Sequence, residues 1–181
     1  MTFKRSTRRR FIQDAAALAA LGFAGFLSAP AKAGTLRIGQ LAPEATLVSL
    51  DGTRYTTRAL LGRVVVLTFW ATWCLPCRRE LPALSAYAAA HEADGLTVLG
   101  FALDEPEQQI AVSTIAQSLS FPVGFFSATS APGYGRIWRM PANFTIDRDG
   151  TLADNAWDDR HEAGWTEERL TRVLDPLLRR R

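Results

Sequence analysis

Residues 64–70 read Val-Val-Val-Leu-Thr-Phe-Trp, and four residues after that run a Cys-Leu-Pro-Cys opens a segment of helical spacing. An apolar, β-rich run without alternation reads as a strand buried on both faces, inside a layered sheet. The following helix is expected to reach about Ala93, with Leu81, Leu84 and Ala88 facing inward and Gly95 stopping it. A second buried strand follows at Leu96–Leu103, then a helix at Glu107–Leu119, a short strand at Val123–Phe126 and a Gly/Pro-rich loop at Ser127–Gly135. Two Asp-Gly pairs signal hairpins: Asp51-Gly52 between Ala45–Leu50 and Thr53–Thr57, and Asp149-Gly150 between Asn143–Asp147 and Leu152–Trp157. The last helix is expected to start near a Thr166 cap, with Glu167 and Glu168 in its first turn. Leu170, Val173, Leu174, Leu177 and Leu178 form its apolar face, and Pro176 is expected to kink or fray its end. This order implies an α/β chain: a central mixed β-sheet flanked by helices on both faces, preceded by an N-terminal β-hairpin.

Cys74 and Cys77 are the only cysteines. As a structural staple they would achieve little. Closing so short a loop is worth about 2 kcal/mol, against roughly 3 for fifteen residues, and adds strain. Structural zinc needs four N/S ligands, and His91 and His161 show no ligand spacing to the pair. Covalent haem needs a His directly after the second Cys, where Arg78 stands. Inert core thiols would not be followed at once by Arg78-Arg79-Glu80. What remains is a dithiol that opens and closes. Placed where a buried strand becomes a helix, a Cys-x-x-Cys is the thioredoxin-like redox pattern.

The chain's 181 residues suit one globular domain, and 48% apolar content is enough for a core. The net charge of +3 is misleading. Residues 1–33 hold six basic residues against Asp14, which leaves fifteen basic and seventeen acidic residues, or −2, for the rest. No basic patch interleaved with aromatics supports a nucleic-acid partner. The front reads as an export signal: basic to Arg10, apolar from Ala15 to Leu27, then Ala31-Lys32-Ala33 as a small-x-small cleavage site. Cleavage is expected after Ala33, leaving residues 34–181 as the redox domain. A retained membrane anchor is the alternative, but the apolar stretch falls short of a roughly 20-residue span. Thr7-Arg8-Arg9-Arg10-Phe11-Ile12-Gln13 resembles the twin-arginine export box, with mild departures at Ile12 and Gln13. Either export route ends in an oxidising compartment, here the periplasm.

From about Gly39 to Leu178 the chain resembles the TlpA/ResA/DsbE family of exported thioredoxin-fold reductases. Three blocks carry the resemblance: the front hairpin ending in Leu60-Leu61-Gly62-Arg63, the motif FWATWCLPCRRELP, and Met140-Pro141-Ala142-Asn143-Phe144-Thr145-Ile146-Asp147-Arg148-Asp149-Gly150.

Cys74, just before the helix, is the expected nucleophile, because free N–H groups and the helix dipole there stabilise a thiolate. Cys77, one turn inside, would resolve the mixed disulfide. Leu75 and Pro76 tune the pair, and Pro76 suits a first helical turn. The resemblance implies a cis Met140–Pro141 bond facing the disulfide. The Met140 backbone would then be open to a bound peptide, and its side chain would line the substrate surface. Trp73 is expected on the rim of the site and Trp70 in the packing. Arg78 and Arg79 either add positive potential or form an ordinary solvated face.

The resolving thiol must give up a proton, so a nearby buried carboxylate would help. Thioredoxin keeps an Asp in the strand before the motif, where this chain has Thr68. The resemblance implies Glu105 instead, with Asp104 as the other candidate. Glu80 either tunes the thiols or merely favours the early helix. His91 and His161 read as structural.

The expected function is an exported thiol–disulfide oxidoreductase, most simply a reductase of periplasmic protein disulfides, needing no cofactor or metal beyond the Cys74–Cys77 pair. The resemblance implies substrates such as apocytochrome c thiols or a metal-site protein, electrons from a membrane thiol donor, and a monomer. The rivals are a thiol peroxidase, a copper-delivery factor with Met140 as its one further ligand, and an oxidant of substrate thiols.

Overall fold

The structure, a computed structural model, describes residues 36–155 and 164–180. The expected export signal, His161 and the end of the second hairpin beyond Asn155 lie outside the described residues. The front hairpin pairs β1 (Thr46–Val48) with β2 (Arg54–Thr56) as a separate two-stranded sheet. Its turn needs Gly52 at φ +86°, a conformation open to glycine without a Cβ penalty. The Asp51 carboxylate accepts the Thr53 N–H at 2.9 Å and so stabilises the same turn.

Five strands form the main sheet: β3 (Val64–Trp70), β4 (Leu96–Ala102), β5 (Val123–Phe125), β6 (Ala142–Ile146) and β7 (Leu152–Asn155), in the order β5-β4-β3-β6-β7. β3–β4 and β4–β5 are parallel, whereas β3–β6 and β6–β7 are antiparallel, so the sheet is mixed as expected. All seven residues of β3 are buried, as a strand at the centre of the sheet must be.

The helices are α1 (Leu75–His91), α2 (Gln109–Ala116) and α3 (Glu167–Leu178). Against expectation, all three pack on the same face. The β3–α1–β4 and β4–α2–β5 crossovers step in the same direction along the sheet. A common right-handed crossover therefore puts both helices on one side. There Leu81 and Leu84 of α1, Val112 of α2 and Leu170 and Leu174 of α3 share a core with Val64, Val66 and Trp70. The opposite face is covered by the hairpin and by the return loop, residues 126–141 between β5 and β6. Leu47, Ala131, Tyr134 and Ile137 pack there on Leu67, Phe69, Leu99 and Phe101. Phe69 is fully buried, stacked on Phe101 with centroids 4.9 Å apart and edge-on to Phe144 at 5.8 Å.

Two helix ends also differ. The expected helix at 107–119 begins as a 3-10 turn, Pro106–Gln108, and its last residues revert to i→i+3 bonds from Ser118 to Ile115 and Leu119 to Ala116. Pro176 does not end α3, which runs on to Leu178 because Leu174, Leu177 and Leu178 keep it buried.

Both margins of the sheet are met by the chain's front. The Leu50 N–H bonds the Val123 carbonyl of β5 at 2.8 Å. On β7, the Gly39 N–H bonds the Leu152 carbonyl and the Leu152 N–H bonds the Gln40 carbonyl, both at 2.8 Å.

Candidate functional site

β3 leaves the sheet at Trp70 and turns through Thr72 into Cys74, the N-cap of α1. The Cys74 Sγ accepts the Cys77 N–H at 3.3 Å, and its carbonyl accepts the Arg78 N–H at 3.1 Å. Cys74 and Cys77 are joined as a disulfide. Cys74 keeps 6% exposure and Cys77 none, so a partner from solution can reach only the first sulfur. Once reduced, that sulfur sits at the positive end of a seventeen-residue helix, where a thiolate is favoured.

The antiparallel register of β6 with β3 pairs Phe69 with Ala142, which brings Pro141 level with the strand end that feeds the motif. The Met140–Pro141 bond is cis and Pro141 is buried. Met140, expected to line the substrate surface, is half-buried and packs against both cores. Trp73 and Leu75 are 65% and 59% exposed, and Pro76 is exposed beside them. Trp138, just ahead of the Met140–Gly150 block and marked by no motif, is 72% exposed two residues before Met140. The Arg139 guanidinium lies 5.5 Å from its ring centroid. Trp70 is fully buried in the helix-side core, as expected of a packing residue.

The carboxylates sort differently from expectation. Glu105, expected as the buried acid, is exposed at the start of the 3-10 turn, where the Gln108 Oε1 accepts its N–H at 3.2 Å. Asp104 beside it is the buried one, and it holds the Thr72 N–H at 2.9 Å. Glu80, on α1, is buried as well. One turn beyond Cys77 on the inward face of α1, it is 4% exposed. Its Oε2 accepts the Trp165 N–H at 2.6 Å, and its Oε1 accepts the Asn143 side-chain amide at 3.2 Å. Asn143 stands opposite Thr68 in the β3–β6 ladder, so this chain supplies its buried acid from the helix rather than from the strand. Burial raises the Glu80 carboxyl to about 7, against the opposing pull of the Trp165 N–H, the Asn143 amide and the positive charge of Arg169. A buried carboxyl raised to about 7, one helical turn from the resolving cysteine, can both accept and return a proton.

Behind Glu80 lies a second buried layer that the sequence did not reveal. Arg169 of α3 pairs with Asp154 of β7 at 2.5 Å, and its guanidinium lies 4.4 Å from the Trp165 ring centroid. Arg78 and Arg79 are exposed on α1. His91 sits at the far end of α1 against Tyr87 and Asp94, consistent with a structural part. Among the described residues, no group of three or more His, Cys, Asp or Glu could hold a metal ion.

Comparison with known proteins agrees with this geometry. Residues 38–155 match the model of the AhpC/TSA family. The thiol-disulfide oxidoreductase ResA of Bacillus cereus is 31% identical over 137 residues, covering 75% of this chain and 78% of the relative. A thiol:disulfide interchange protein of the thioredoxin family from Chlorobium tepidum superposes with a TM-score of 0.66 at 24% identity, over 78% of this chain and 97% of that one. The structure of dsbF from MTB, in mixed oxidized and reduced forms, matches at 26% identity and a TM-score of 0.60, over 73% and 93%.

Proposed function

This chain belongs to the AhpC/TSA family and is a TlpA/ResA/DsbE-like thiol–disulfide oxidoreductase, and from that premise we propose that it reduces disulfides of other proteins in the periplasm. The observation that carries the reading is the pairing of a slightly exposed Cys74 at a helix N-terminus with a sealed Cys77 one helical turn from the buried Glu80 carboxylate. In the reduced protein, the Cys74 thiolate attacks one sulfur of a substrate disulfide. The substrate S–S bond breaks, one substrate thiolate leaves, and a mixed disulfide forms. Cys77 then passes its proton to Glu80 and attacks the Cys74 Sγ. The second substrate thiolate leaves, two electrons have moved to the substrate, and the Cys74–Cys77 disulfide seen in the structure has formed. A membrane dithiol donor returns the two electrons.

Export by the twin-arginine route, with cleavage after Ala33, rests on the sequence of the front. The substrates favoured are cysteines of apocytochrome c or of a metal-site protein, and the chain acts as a monomer. Trp73, Leu75, Pro76 and Trp138 offer the apolar ground on which such a peptide would lie. The thiol peroxidase reading draws no better support from the relatives. A glutathione redox titration of the full chain tests the direction of transfer. A potential at or below roughly −250 mV, near thioredoxin's approximately −270 mV, supports a reductant. A value near about −120 mV would make it an oxidant.

A further inference from the structure

A buried arginine bonded to a buried aspartate is an expensive arrangement, and an apolar pair of similar volume is often as stable or more so. Arg169 and Asp154 are 1% and 2% exposed. Their place in the fold suggests what the charge does. Arg169 Nη1 donates to the Gly164 carbonyl at 3.2 Å, while the Trp165 N–H donates to Glu80 Oε2 at 2.6 Å. That carbonyl and that N–H belong to one peptide unit. A cation therefore grips its oxygen end and a carboxylate its nitrogen end. Hydrogen bonds in such a chain polarise one another and strengthen together.

The unit is also confined. A Cβ on Gly164 would lie 3.1 Å from Glu80 Oε2 and 3.8 Å from Pro141 Cγ, so the segment passes close to both the carboxylate and the cis-proline. Among the described residues, the charged or titratable groups bearing on Glu80 are few. Cys77, when reduced, shares its helix, Arg169 approaches from α3, and Asp154 of β7 stands behind Arg169. β6 contributes the neutral Asn143.

We propose that Arg169 is a positioning residue for the resolving step: clamped by Asp154, it fixes and polarises the Gly164–Trp165 peptide so that its N–H stays on Glu80, and thereby sets the pH at which that carboxylate ionises. The importance of this rests on the reading of Glu80 as proton acceptor for Cys77. The clamp itself does not. Loss of Arg169 removes both a nearby positive charge and the restraint on the peptide. Both changes disfavour the ionised carboxylate, so the Glu80 midpoint moves up.

The test is a carbon-13 carboxyl NMR titration of the full chain labelled at glutamate, with Glu80→Gln identifying the resonance. The variant is Arg169→Met/Asp154→Leu, which removes both members of the buried pair together. The expected result is a Glu80 midpoint raised by about one pH unit or more, with the Trp165 amide no longer following it. Arg169→Lys, which keeps the charge, should return most of the shift. An unchanged midpoint in the folded double variant overturns the proposal. If the double variant does not fold, the wild-type chain decides. Its Trp165 amide and Arg169 guanidinium resonances must inflect together with Glu80, and a silent guanidinium overturns the clamp. The pH profile of disulfide-reducing turnover separates the two ideas. If the Glu80 midpoint moves while the acid limb stays, the clamp stands and Glu80 is not the proton acceptor.

Discussion

Asp104 holds Thr72 by two groups at once, accepting the backbone N–H at 2.9 Å and the side-chain hydroxyl besides. The bond ties the end of β4 to the turn that presents Cys74, two residues further on. Asp104→Ala leaves both donors without their acceptor in a mostly buried place. It should cost about 2 kcal/mol of stability in denaturant unfolding. Asp104→Asn, which keeps an acceptor, should lose less. The alkylation rate of reduced Cys74 should change in the same order. Equal stability of all three proteins would show that the turn is held by other means.

The difference in exposure between the two sulfurs predicts unequal fates for their serine variants. Cys74→Ser should lose disulfide-reducing turnover by at least about a hundred-fold, since nothing else can open the substrate bond. Cys77→Ser should still attack and then stall, accumulating a mixed disulfide visible by intact mass. Accumulation in Cys74→Ser instead would reverse the assigned roles.

Glu80 links stability to pH. Its carboxyl is raised from 4.5 to about 7, so the folded chain holds that proton more tightly than the unfolded chain does. The stabilisation is complete below about 4.5 and is lost as the pH climbs through 7. At about 1.4 kcal/mol per pH unit, it amounts to roughly 3 kcal/mol between those limits. Glu80→Gln cannot ionise and should show a flatter profile from pH 5 to 8. Parallel unfolding profiles for the two proteins over that range would refute the linkage.

Phe69 lies against Phe101, Phe126, Tyr134 and Phe144 on the face opposite α1, α2 and α3. Phe69→Ala should therefore destabilise by about 3–5 kcal/mol. A loss below about 1 kcal/mol would mean that the return loop collapses into the cavity. Thermal or denaturant unfolding reads either result.

The strands and hairpins were legible because their signals are local. Val64–Trp70 declares itself by an unbroken apolar run, and Asp51-Gly52 and Asp149-Gly150 by turn chemistry. Cys74, Cys77 and Pro141 were legible through the motif blocks. The buried polar layer was not. Whether Glu80, Asp104 or Glu105 turns inward depends on the rotation of α1 and the path after β4, and the three carboxylates look alike in sequence. Arg169 and Asp154 are fifteen residues apart on different elements, and nothing local marks either as buried. The side on which α2 packs follows from strand order, which periodicity alone does not reveal.

The contacts that Gly39, Gln40 and Leu50 make with β7 and β5 bear on how the protein behaves in a crowd. An unpaired outer strand is a template on which another chain can add, and here both outer strands are occupied by the polypeptide's own leading segment. At Gly124 the fit is so close that a Cβ would lie 2.0 Å from the Val48 carbonyl oxygen, so only a glycine lets the hairpin lie that close. A protein cut back beyond Thr57 would keep its sulfurs and its acid yet expose two sticky borders. Light scattering should show it clumping at concentrations where the intact chain stays dispersed.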